Sequence, residues 1–509
     1  MTTASFPQAD ASSSRQRAIL GRLWVSSALV AGLSTALLWD ASPGINWLLC
    51  VLAASVALLA SAYGEGTISH VAPPLVLALA LAVSAVFAAS EVLHALSILS
   101  VLCLLAIAIA RANPERYARL HPIEVVGLPL VVFVTCVVEA TRRATETVRE
   151  LTNERAVPLI RGVVLTLPIA GLFALLLSSV DPTLSVWRDE LGRVLATWHF
   201  IPRLVFFTIV LGLSLGAVGY ASRPSTSASR EDANGRLLVQ LGETERLMVL
   251  SAIAGLFTLF LTLQVSYLFG DVARVQGSGV SYAEWARRGF AELTVVATLC
   301  GGVIMGLALV APAGRRRRRI LIVELIVLGE TQLLLHSAFR RVLLYEDAYG
   351  FTTTRLYAQA YMLVVAASLI LLAHELLGRP SARRLLARAG ALGLIGLAGL
   401  SMWNHEAWIV RQNVARHAET GKLDLRYLAC GLSARAVPEV LRVAEQRGGV
   451  SREMTRTAIG ERFMWIMDDA WYEWNAGRSR AREAINAAGI VGPGPDTATG
   501  VCAREWAEG

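Results

Sequence analysis

The sequence predicts an all-α, polytopic transmembrane helix bundle of about eleven spans, carrying a small helical C-terminal domain. Three observations predict it. Of 509 residues, 55% are hydrophobic and only 17% charged, whereas soluble domains carry about a quarter charged residues. The apolar residues arrive in blocks of about twenty, the length that matches a bilayer core. After Trp403 the blocks stop, and a mixed polar, helix-patterned stretch follows to the end.

Residues 1–22 form a polar N-terminus rich in Ser and Ala, with Arg15, Arg17 and Arg22 ahead of the first apolar block. No small-x-small cleavage site follows, so this reads as an uncleaved anchor rather than a signal peptide. The membrane domain then covers 23–403. Its expected spans are Leu23 to Trp39, Ile45 to Tyr63, Val71 to Ser90, Val92 to Ala110, Leu159 to Val180, Phe200 to Tyr220, Leu247 to Gly270, Phe290 to Ala311, Ile320 to His336, Tyr357 to Leu377 and Leu386 to Trp403. Ala, Gly and Ser are frequent in them and allow helices to approach closely in lipid. No internal repeat has a convincing period.

Net charge is +8, which raises the question of nucleic acid. The basic residues after Trp403 are matched by acids, so the excess lies in short membrane loops, where it sets orientation. Arg111/Arg116/Arg119, Arg223/Arg230/Arg236/Arg246, the run Arg315–Arg319 and Arg379/Arg383/Arg384/Arg388 all fall on one side when the spans alternate. That side is expected to be cytoplasmic, together with the N-terminus. The turns at Asp40–Gly44 and near Glu91 carry no Arg or Lys and are expected outside. Segment 122–140 is apolar but holds Glu124, Gly127, Pro129 and Glu139. A full crossing there would turn the five-arginine run outward, so the segment is expected to be re-entrant or interfacial. The tail, 404–509, is then expected outside the cytoplasm. Ala436 to Gln446 and Arg452 to Ala470 have helical spacing, Ser451 is a candidate N-cap, and Gly492–Gly500 reads as a loop.

Cys50, Cys103, Cys136 and Cys300 lie in apolar segments and read as small buried hydrophobes. Cys430 and Cys502 are the two tail cysteines, and outside the cytoplasm they are a candidate disulfide.

Ionisable residues at membrane depth are functional candidates. Glu324, Glu330 and His336, with Gln332, occupy one span but not one helix face. Either partners on other helices complete a solute path, or these residues bond helices together. His374 and Glu375 lack metal spacing, and no zinc pattern, phosphate loop or nucleophile elbow is present. No cofactor, metal or nucleic-acid partner is expected. Two expected outward loops put Arg beside aromatics: Tyr282 to Glu292, with Arg288 and Glu292 four apart, and Arg340 to Tyr357, with Tyr349 and Arg355. They are candidates for an anionic or sugar-like ligand, for docking of the tail, or for an aromatic belt with local ion pairs.

Tyr282…Arg287-Arg288-Gly289-Phe290-Ala-Glu292 and Tyr349-Gly350-Phe351…Arg355-Leu356-Tyr357 resemble stretches of the bacterial membrane-protein group called domain of unknown function 4153/4173. So does the run from Asn413 and Arg416 through Gly421-Lys-Leu-Asp424-Leu-Arg-Tyr427 to Ala436-Val-Pro438. The resemblance covers about Leu247 to Leu441. It implies a multi-pass location in a bacterial inner membrane and many spans plus a helical tail, and it supplies no catalytic residues. The leading expectation is a non-enzymatic envelope scaffold or sensor meeting a protein partner or small ligand. The alternatives are a secondary transporter using Glu324, Glu330 or His336, and a membrane transferase on a lipid-linked substrate using Arg288, Glu292 and Glu346 or Asp347.

Overall fold

The computed structural model describes residues 8–62, 68–119, 127–151, 200–222, 242–268, 290–309, 318–378, 380–491, 500 and 502. Among them the chain is helical, with no strand, and nine helices are long and apolar enough to cross a membrane. The expected span Leu159 to Val180 lies outside the described residues. The helices are α1 (Gln8–Leu38), α2 (Ile45–Ala62), α3 (Ile68–Phe87), α4 (Glu91–Arg111), α5 (Pro114–Arg119), α6 (Leu128–Leu151), α7 (Phe200–Ala221), α8 (Glu243–Leu268), α9 (Phe290–Leu309), α10 (Arg318–Tyr349), α11 (Thr353–Leu377) and α12 (Ala382–Met402). The tail adds α13 (His405–Thr420), α14 (Val437–Arg447), α15 (Gly449–Phe463) and α16 (Ala476–Ala487). Large apolar side chains such as Leu29 (68% exposed) and Ile395 (69%) point outward from the spans, as they do where the solvent is lipid.

The chain forms two compact units. The first comprises Met1–Val86, His94–Arg230 and Asp469–Asn475. Its core joins Leu23, Leu58, Leu75, Ile109, Val132, Cys136 and Leu215. Helix α7 packs on α1 and α6, and its contact with α6 is as close as backbones allow. A Cβ on Gly216 would strike the Cys136 main-chain carbonyl, and one on Gly219 would lie 3.2 Å from the Glu139 side chain. Cys136 is thus level with Gly216 and Glu139 with Gly219, so the two helices run in the same direction. By that register Leu128 stands near the middle of α7, and the charged half of α6 emerges at its C-terminal end. There Arg143 pairs with Glu139 at 3.0 Å, and the Trp24 indole donates to Thr147 at 2.9 Å.

The second unit comprises Phe87–Leu93, Glu231–Asp468 and Ala476–Gly509. Its membrane core gathers Leu250, Ala297, Ile304, Val327, Leu334, Met362 and Leu369 from α8 to α11. Helix α10 has 32 residues and at about 1.5 Å each reaches roughly 48 Å, well beyond a hydrocarbon core of about 30 Å. The stretch from Arg340 to Tyr349, expected as an outward loop, is therefore the projecting end of a helix. Only Gly350–Thr352 turn before α11 begins.

In the tail, α14 follows the expected helical stretch, whereas the expected stretch Arg452 to Ala470 is corrected at both ends, because α15 stops at Phe463 and a 3-10 turn, Met464–Asp468, follows it. Helix α15 starts after Gly448, not at Ser451, because Gly448 (φ +68°) and Gly449 (φ +57°) turn the chain in the left-handed region. Ser451 lies in the first turn. The tail core is a separate cluster of Ile409, Leu428, Leu432, Val440, Ile459, Phe463, Ile466 and Ile485. Cys430 and Cys502 are joined by a disulfide. The expected loop Gly492–Gly500 lies outside the described residues up to Gly500.

Gly216→Leu should separate α6 from α7 and destabilise the first unit by about 1–3 kcal/mol or more. Thermal unfolding in detergent reads this, and an unchanged midpoint would mean the backbones are not in contact there.

Candidate functional site

A dense polar assembly in the second unit lies where the tail meets the turn between α10 and α11. A helix ends with unpaired carbonyls and begins with unpaired N–H groups, and both sets need partners. Here the tail supplies them. The Asn413 amide, on α13, accepts from Phe351 N (2.9 Å) and donates to Phe351 O (2.8 Å) and Ile409 O (3.1 Å). Gly350 has φ +83°, and a Cβ there would collide with Asn413 Oδ1, so Gly350 answers both a backbone and a space requirement. Arg416 Nε donates to Asp347 O at 2.9 Å, and its Nη2 to Ala348 O, capping α10. At the start of α11 the Thr353 N–H donates to the Tyr427 hydroxyl at 2.9 Å. Thr352, the N-cap residue, makes no cap with its own side chain. Tyr427 opens a π-helical turn, Tyr427–Gly431, and its ring lies on Gly431, where a Cβ would overlap it.

Arg355 and Tyr357, both expected as ligand contacts, turn inward. The Arg355 guanidinium lies 4.2 Å over the Tyr345 ring and donates to Gly350 O. The Tyr357 hydroxyl stands 3.1 Å from Ser90 Oγ and 3.0 Å from His405 Nε2. His405 Nδ1 faces Leu400 O and Trp403 O, each at 3.2 Å. The Tyr357 hydroxyl donates to Ser90 Oγ, and the direction of its contact with His405 Nε2 follows from the imidazole tautomer. Tyr349 is exposed on the α10 end and stacks on Tyr345, centroids 4.7 Å apart.

Beside this lies a charged set in which Glu406 and Arg435 are buried and Arg462 is half-buried. Glu406 accepts from Ser433 N (3.1 Å) and Ser433 Oγ. Arg435 donates to Ser401 O (2.6 Å) and Met402 O (3.0 Å), closing α12, and Arg462 donates to Ala429 O (3.2 Å) and Leu432 O (2.9 Å). Burial pushes the Glu406 carboxyl up and pulls the Arg435 and Arg462 guanidiniums down, and Glu406 draws both part of the way back. Burial also holds His405 below the usual histidine value.

The other candidates are spread apart. Glu324 is fully buried and paired with Arg246 at 3.4 Å. Glu330 accepts from Thr258, and His336 points away from the core. Glu375 is held by Arg384 and Arg388, each at 2.9 Å. Glu292 is exposed at the start of α9. Tyr282 and Arg288 lie outside the described residues. Sequence reasoning did not assign a site role to Asn413, Arg416 or Tyr427, although all three lie in the stretch that carries the resemblance.

Residues 75–443 match the model of a family described as Domain of unknown function (DUF4153). The chain belongs to that family. The match begins within α3 and so extends well before the expected Leu247. No curated protein and no solved structure matches the chain. Membership assigns no activity, and it is the nine long apolar helices among the described residues that make the chain a multi-pass membrane protein.

Because the His405 pKa is depressed, its contribution to stability is present above the unfolded value of about 6.5 and is lost as pH falls below it. Glu406, with a raised pKa, works in the opposite sense. His405→Asn removes only the first effect, so its stability should fall less than the wild type's between pH 7.5 and 5.5, by at most about 1.4 kcal/mol per pH unit. Hydrogen exchange of α13 measures the difference, and parallel pH profiles would contradict it.

Proposed function

We propose that this chain is a non-enzymatic scaffold or sensor of a bacterial inner membrane, with a cytoplasmic N-terminus and an extracytoplasmic C-terminal domain clamped on the ends of its spans. The observation that carries the reading is the use of Arg355 and Tyr357. Both bond protein groups, Arg355 at the α10–α11 turn and Tyr357 at Ser90 and His405, which supports a structural use of these residues. The clamp fixes the tail to the α10–α11 turn of its own unit, which suits a platform for an envelope protein or small ligand.

Several features support the orientation. The tail core is bonded to the 350–352 turn, and segment 469–475 to the Asp40–Gly44 turn. Neither turn contains Arg or Lys. The Cys430–Cys502 disulfide suits an oxidising compartment. The half-depth register of α6 on α7 supports a re-entrant reading of 122–140, on which the odd number of crossings depends. One observation favours the transporter alternative: Glu330 Oε2 is buried with no hydrogen-bond partner among the described residues.

A reporter fused after Gly448 should be active only if it folds outside the cytoplasm. Activity of a cytoplasm-only reporter there would overturn the topology. In cells lacking the chain, Glu330→Gln should restore wild-type envelope integrity, read by detergent sensitivity, whereas Asn413→Ala combined with Tyr427→Phe should not, each lost bond costing about 1–3 kcal/mol. The reverse pattern would favour transport.

A further inference from the structure

Segment Asp469–Asn475 belongs by sequence to the tail but packs within the first unit. Ser42 N donates to Glu473 Oε1 at 2.9 Å, Ile45 N donates to Trp474 O at 3.1 Å, and the Asn475 amide donates to Ala85 O at 3.4 Å. A Cβ on Gly44 would collide with the Glu473 carbonyl. Glu473 Oε2 also accepts from Ala470 N at 2.8 Å, closing the short helical turn Trp471–Glu473 on itself. The segment is therefore fixed at both ends and internally braced.

Its depth follows from what it is bonded to. Ile45 is the first residue of membrane helix α2, and the Asp40–Gly44 turn follows α1 directly. The segment thus sits at the level where hydrocarbon gives way to headgroups. On it Trp471 is 74% exposed and Trp474 43% exposed. Tyr472 meets Trp471 edge-on, centroids 5.7 Å apart. The helices on either side of the Asp40–Gly44 turn, α1 and α2, expose Leu29, Leu33, Leu52 and Val56, so the segment is bonded to helices that present apolar side chains to lipid. An exposed Trp is costly in water and favourable at this depth, where the ring meets acyl chains and the indole N–H finds ester carbonyls.

We infer that Trp471, Tyr472 and Trp474 form an aromatic anchor by which the C-terminal domain inserts into the interfacial zone of the bilayer. The ligand is the glycerol-ester layer of a phospholipid. The inference is independent of which side of the membrane the tail occupies, so it stands or falls apart from the orientation proposed above.

The test uses the full chain labelled with fluorotryptophan in phosphatidylethanolamine–phosphatidylglycerol nanodiscs, with the Trp471 fluorine resonance identified by its loss in Trp471→Phe. A lipid carrying a nitroxide near its headgroup should broaden the Trp471 signal several-fold, and an aqueous gadolinium chelate should leave it nearly unchanged. Broadening by the chelate but not by the lipid would place Trp471 in water and overturn the anchor. Broadening by neither would place it under protein and overturn it equally. Because Trp471 is exposed, the Phe variant should keep the wild-type unfolding midpoint.

Discussion

A main-chain polar group withdrawn from water must find a partner, and the second unit is arranged around this requirement at one turn. Between α10 and α11 the chain reverses in three residues, leaving carbonyls of one helix and an N–H of the next open. Water could satisfy them, but the tail does so instead, through Asn413, Arg416 and Tyr427. Their bonds go to backbone atoms, so they read the shape of the turn rather than its side chains. The same device recurs at the next helix end, where Arg435 closes α12.

The buried charges follow from that arrangement. Arg435 and Arg462 have their guanidiniums bonded to carbonyls, which are dipoles and not counter-ions, so a desolvated positive charge remains. Glu406 answers it at longer range while its carboxylate is bonded to Ser433. Such a set is a poor source of net stability and a strong constraint on geometry, because loss of one member leaves the others uncompensated. In the bilayer, Glu324 with Arg246 and Glu375 with Arg384 and Arg388 follow the same rule with direct pairs.

The helical membrane class was legible because hydrocarbon thickness imposes a length on apolar blocks, and the helices from Ile45, Phe200 and Thr353 begin within a few residues of the expected points. The projecting end of α10 was not legible. Arg340, Arg341, Glu346 and Asp347 look like loop residues by polarity, yet a helix outside the bilayer is free to carry charge. At the candidate site the Arg and aromatic residues were visible, but their direction was not. Arg355 and Tyr357 have the composition of a ligand pocket, and only tertiary contact reveals their partners within the protein, Gly350 O and the Tyr345 ring for Arg355, Ser90 and His405 for Tyr357. Asn413 gave no chemical signal, since a lone Asn in a polar helix has no distinguishing pattern.

The disulfide has a further consequence. Cys430 lies in the π-turn that begins with Tyr427, and Cys502 lies 72 residues later. Between them run α14, α15, the aromatic segment and α16, so this whole stretch is a covalent ring. A protease that cuts once anywhere in the ring releases nothing. Both ends of the cut stay tied to the turn that grips α11, and the domain can close again around the break. The crosslink therefore confers tolerance of damage as well as stability.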